Sequence, residues 1–187
     1  MLSSKLKKFS LSTFLIEVFT IIFGVLLALG VNEVRNHYND KQEVNIALES
    51  IKVELNNNKA FLDLRLPYYE SMIDTIKKVI SLKGKDIGFK SVSLPGFKGI
   101  NPPLLRNSSL RTAISTQAFS NMEYSMANKI SWVYSFQETY LKWVYIYFEA
   151  FFQSDNATLE ILILIFQEMS FVGKQIYQEY EQLLDVL

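Results

Sequence analysis

FSLSTFLIEVFTIIFGVLLALGV, residues 9–31, is the stretch whose reading decides the fold. Glu17 is its one charged residue. A helix of this length covers about 35 Å at 1.5 Å per residue, enough to cross a bilayer. The spacing therefore predicts a transmembrane helix over 9–31. Residues 1–8 form a basic flank carrying Lys5, Lys7 and Lys8. Secretory signals share that arrangement, and Ala28-Leu29-Gly30 offers small residues for cleavage. The apolar run is long for a signal, so a retained anchor is the expectation. Three lysines precede the span, whereas Arg35 and Lys41 after it are mixed with acids. That bias places the N-terminus in the cytoplasm. In a bacterium the span sits in the inner (cytoplasmic) membrane, and the rest of the chain is periplasmic or otherwise extracytoplasmic.

The span has a polar face. Glu17, Thr20, Gly24, Ala28 and Asn32 follow steps of three and four, which puts them on one side of a helix. Gly24-x-x-x-Ala28 lets backbones approach closely, and a glutamate inside lipid favours a protein neighbour. These five residues are the candidate helix–helix contact. The plainer reading has Glu17 reaching the headgroups.

Outside the span, residues 32–187 read as a helical domain of ordinary size. Val44, Leu48, Ile51, Leu55 and Leu62 give one helix face. Pro67 is expected to break or kink this helix. A second stretch then carries Tyr69, Met72, Ile73, Ile76 and Ile80, ending at Lys83-Gly84-Lys85. Residues 84–107 hold four of the seven glycines and three of the four prolines, and read as a long irregular loop, functional or mobile. Ser108 or Ser109 caps a short helix with Leu110, Ala113, Ile114 and Ala118. Ser120-x-x-Glu123 has capping-box spacing and opens a helix from about Asn121 to Phe152. Met126, Ile130, Val133, Phe136, Tyr140 and Val144 are its inward face. Its end, WVYIYFEAFF at 143–152, is apolar nearly all round, which implies deep burial or contact on a second side. After a turn at Ser154-Asp155-Asn156, a last helix begins near Ala157. Leu159, Leu162, Ile163, Phe166, Met169, Val172, Ile176, Tyr180 and Leu183 form its core face. The fold class is all-α: an N-terminal transmembrane helix continuing into a soluble antiparallel bundle of four or five helices.

Chemistry is sparse. There is no cysteine and one histidine, His37, in a polar juxtamembrane stretch. A thiolate site, a multi-histidine metal site and a Cys/His pair therefore lack material. The carboxylate pairs Glu179/Glu181 and Glu138/Glu149 do not share a buried face. The glycines at 84–99 lack the pattern of a phosphate loop. Net charge is zero, which speaks against nucleic acid. No catalytic residue, metal or cofactor is expected. N-A-T at 156–158 is a glycosylation acceptor only in a host with that machinery.

IEVFTIIFGVLLALGVNEVRN, residues 16–36, resembles the start of a family of short uncharacterised bacterial single-pass membrane proteins. Their span bears a glutamate followed by Gly-Val-Leu-x-Ala-Leu-x-x-Asn. LRTAISTQAFSNMEYSMANKISWVYSFQETY, residues 110–140, is similar to a second stretch of that group. Val34 stands where the group often has tryptophan. The family is a domain of unknown function, so the resemblance implies an architecture and no activity. The reading is a membrane-anchored interaction, sensor or accessory module rather than an enzyme, with the lipid bilayer, a second copy and a possible further protein as partners. The alternative is a homo-oligomeric pore or ion path lined by Glu17 and Thr20.

Overall fold

The structure, a computed structural model, describes residues 11–154 and 157–187. The basic flank 1–8 and Asp155-Asn156, with the glycosylation acceptor, lie outside the described residues. The architecture is all-α: α1 Leu11–Lys83, α2 Ser108–Ser115, α3 Tyr124–Gln153 and α4 Leu159–Leu184, with a 3₁₀ turn at Phe89–Ser91. Two units are distinguishable, Met1–Glu43 and Val44–Leu187. The compact unit thus begins at Val44, and residues 32–43 group with the span.

In the first unit α1 carries an apolar surface with no protein over it. Leu15, Ile16, Phe19, Ile22, Leu26 and Leu29 are exposed in every direction. This is one helix long and apolar enough to cross a membrane.

The second unit is built around the continuation of α1. Ile51, Leu55, Leu62, Tyr69, Met72 and Ile76 are fully buried at helical spacing. Pro67 does not end the helix; α1 runs through it to Lys83. The residues beside the proline are tied down by tertiary contacts. The Tyr68 hydroxyl donates to the Gly99 carbonyl at 2.5 Å, and Tyr69 donates to the Asn101 carbonyl at 2.7 Å. Both rings pack on Phe166 at 5.9 Å. Pro67 itself faces outward. Packing therefore overrides a local preference whose expected cost is about 3 kcal/mol.

Helix directions explain the long connection. Lys59 pairs with Glu181 at 2.9 Å and Glu70 with Lys174 at 2.5 Å, so α1 and α4 are antiparallel. Glu54 meets Tyr134 and Asn58 meets Gln137, so α1 and α3 run the same way. A chain leaving α1 must therefore travel back along it before α3 can start. Gly99 lies beside Tyr68, Arg106 beside Asn58 and Ser109 beside Ser50. That return covers about 27 Å of helix axis at 1.5 Å per residue, so residues 102–106, between the left-handed Asn101 and the cap of α2, must be nearly extended. Pro102 and Pro103 suit such backbone.

The loop is ordered by this packing. Leu94, Ile100 and Leu105 are buried. Phe89 stacks edge-on against Phe97 and Phe151, both at 5.3 Å. At the other end Phe89 N–H donates to Ala157 and Leu159 N–H to Ile87, pinning the loop to the α3–α4 turn. Gly96, at φ 77°, takes a backbone conformation open to glycine, and an added Cβ would sit 3.5 Å from Met72 Cε.

Two helix starts differ from expectation. The capping box does not form with Ser120 as cap; α3 begins at Tyr124, and Glu123 accepts from the backbone of Ser125 and Met126 and from the Ser125 hydroxyl. These bonds hold the Glu123 carboxyl below its usual range, the Ser125 hydroxyl contributing most. Neither Ser108 nor Ser109 caps α2. The cap position is Asn107, without a side-chain bond, and Glu54 of α1 accepts instead from the Ser109 N–H and the Ser108 hydroxyl.

Candidate functional site

The sequence singles out the polar face of the span, and the structure places it as follows. Glu17, Thr20, Gly24, Ala28 and Asn32 all lie on α1 and all are exposed. Thr20 Oγ1 donates back to the Ile16 carbonyl at 2.8 Å, which satisfies the hydroxyl within its own helix. Glu17 has no hydrogen-bond or ion-pair partner among the described residues. A Cβ at Gly24 would meet nothing within 4 Å, so the helix surface there is open to a close neighbour.

A second concavity on the span was not legible as a site. Phe23, Leu26, Leu27, Gly30, Val31 and Val34 surround a shallow notch at Gly30. At 100° per residue this notch lies well away from the Gly24 face. Gly30 is flanked by large side chains rather than small ones, so the small-x-x-x-small pattern passes over it.

In the second unit, polar groups converge on the core. The Glu54 carboxylate accepts from Tyr134 at 2.8 Å, from the Ser108 hydroxyl at 2.5 Å and from Ser109 N–H at 3.0 Å. One turn on, Asn58 brackets Arg106, donating to its carbonyl and accepting from its N–H, both at 2.8 Å. Gln137 donates to the same carbonyl at 3.0 Å and accepts from Asn58 at 3.2 Å and from Tyr180 at 2.5 Å. Asn58 and Tyr180 are fully buried, and Glu54 and Gln137 nearly so. Burial, the largest cause, pushes the hydroxyls of Tyr134 and Tyr180 well above the usual tyrosine range. Every member is satisfied, so this cluster ties α1, α2, α3, α4 and the loop together rather than presenting a reactive group. Ile51-x-x-Glu54-Leu55-x-x-Asn58 sets polar residues in core register, and that periodicity was the signal available in the sequence.

The aromatic end of α3 is not deeply buried all round. Val144 and Phe151 are buried, but Trp143, Ile146, Tyr147 and Phe152 remain 39–54% exposed. Trp143 and Tyr147 meet edge to face at 4.6 Å. With Ile161, Leu164 and Met169 of α4 they line a groove of about 250 Å³, and Glu168 supplies its one charge. His37 is exposed on α1. Among the described residues no three His, Asp or Glu side chains gather as a metal site would require.

The chain matches no protein-family model, no curated protein and no solved structure. The likeness to short bacterial membrane proteins therefore rests on the quoted residues alone.

Proposed function

We propose that this chain is a single-pass, membrane-anchored helical protein that self-associates through its span and acts as an interaction, sensor or accessory module. The N-terminus is cytoplasmic and the helical unit extracytoplasmic, in a bacterial inner membrane. The observation that carries the reading is the surface of α1 in the first unit. Its apolar side chains are exposed all round, while Glu17 and the open backbone at Gly24 share one side. Lipid satisfies the apolar surface, but a carboxylate there is better accommodated against another helix.

The chain has no cysteine, so single introduced cysteines report contacts without background. Disulfide yield in membranes is expected to peak at positions 20, 24 and 28, with a trough at 22 and 26. Gly24→Leu is expected to lower span crosslinking at least fivefold while the helical unit keeps its thermal transition. A flat crosslinking profile, or unchanged yield in Gly24→Leu, would show that the span only anchors.

A further inference from the structure

We propose that the outer face of the α3–α4 hairpin is a second self-association surface, on which two copies of this chain pair about a two-fold axis. It goes beyond the span contact and does not rest on it. Trp143 and Tyr147 of α3 line one groove with Ile161 and Leu164 of α4; Ile146 is exposed one turn before α3 position 150, and Phe171 is exposed two turns on from Leu164 on the same side of α4. Each of the six is between 39 and 61% exposed. With large apolar side chains covering 150–250 Å² apiece, they leave about 600 Å² of apolar surface in water. That is at the upper end of what a monomer carries. With a polar rim it reaches the roughly 800 Å² per partner that a stable dimer buries.

The composition is that of an interface centre, with a tryptophan and a tyrosine flanked by aliphatic side chains. The groove between the helices gives a partner's ridge somewhere to seat. A second copy fits because the charges on this face are self-complementary. Lys142 borders the face one turn before Ile146, and Glu168 lies within it between Leu164 and Phe171, lining the groove. Neither has an ion-pair partner among the described residues, although nearby Lys85–Glu160 and Lys174–Glu70 are paired. An isologous contact lays α3 of one copy over α4 of the other, which brings Lys142 to the partner subunit's Glu168 twice. Two hairpins packed this way make a four-helix arrangement whose apolar centre is crossed by the two Lys142–Glu168 pairs.

The test uses the full chain in lipid vesicles at low protein density. Leu164→Cys, treated with a flexible bismaleimide that can bridge one helix diameter, is expected to give a crosslinked dimer with at least fivefold the yield of Asn56→Cys, a surface position on α1. Lys142→Glu and Glu168→Lys, each in that background, are expected to cut the yield severalfold, and the double exchange to restore it. Adding Gly24→Leu is expected to leave the Leu164→Cys dimer in place, which separates this contact from the span. Equal yields at 164 and 56, no recovery in the double exchange, or loss of the dimer with Gly24→Leu each overturns the proposal. Crosslinking of Leu164→Cys to a different protein in native membranes, without the homodimer, overturns it too and assigns the face to another partner.

Discussion

Gln137 shows what one side chain decides. It is 1% exposed and links Tyr180, Asn58 and the Arg106 carbonyl. Gln137→Leu keeps the volume and removes the acceptor from the fully buried Tyr180 hydroxyl. An unsatisfied buried donor costs about 1–3 kcal/mol. The expected outcome is a lower urea midpoint at unchanged slope, corresponding to about 2 kcal/mol. Adding Tyr180→Phe removes the orphaned hydroxyl, so the double variant is expected to lose less than the two single changes together. Strict additivity would mean that the two groups are not coupled. A polar residue at a core position of a helix is visible in the sequence. Which other polar residues meet it is not, because Asn58, Gln137 and Tyr180 come together only across three helices.

Among the elements, α1 is the instructive one. Its sequence contains a proline that on local grounds ends the helix, yet the helix runs from Leu11 to Lys83. The proline faces solvent, and Tyr68 and Tyr69 beside it are fixed to the returning loop and to Phe166. Pro67→Ala restores a donor and relieves the clash without disturbing these contacts. It is expected to stabilise the helical unit by about 1–3 kcal/mol, read as a rise in thermal midpoint. A fall would mean that the proline fixes a bend the packing needs. The loop at 84–107 carries a parallel lesson. Its glycines and prolines announce irregular backbone, but its role as a return path follows from α1 and α3 running in the same direction. No local signal carries that information, since the direction depends on which helix faces pair.

At the scale of the whole molecule, the helical unit is held by four buried tyrosines as well as by aliphatic packing. Tyr69, Tyr134, Tyr140 and Tyr180 are all held above the ordinary value of 10.0, burial being the first cause in each. An unfolded chain releases these protons near 10 and the folded chain only higher. The stability they confer is therefore complete below pH 10 and declines as pH rises above it. Alkaline titration is expected to show tyrosinate absorbance from these residues rising together with loss of helical circular dichroism; ionisation of all ten tyrosines with the helix intact would contradict it. The apolar run at 9–31, the all-α class and most core positions of α3 and α4 were determined by sequence alone. They rest on periodicity and hydrophobicity, which are properties of neighbours along the chain. The continuity of α1 through Pro67, Glu54 serving as the cap of α2, the ordered return loop and the exposure of Trp143 and Tyr147 were decided only by tertiary structure. Each depends on what a residue meets far along the chain: packing can outweigh a local penalty of about 3 kcal/mol, and a helix apolar on two sides has its second side covered only if another element reaches it.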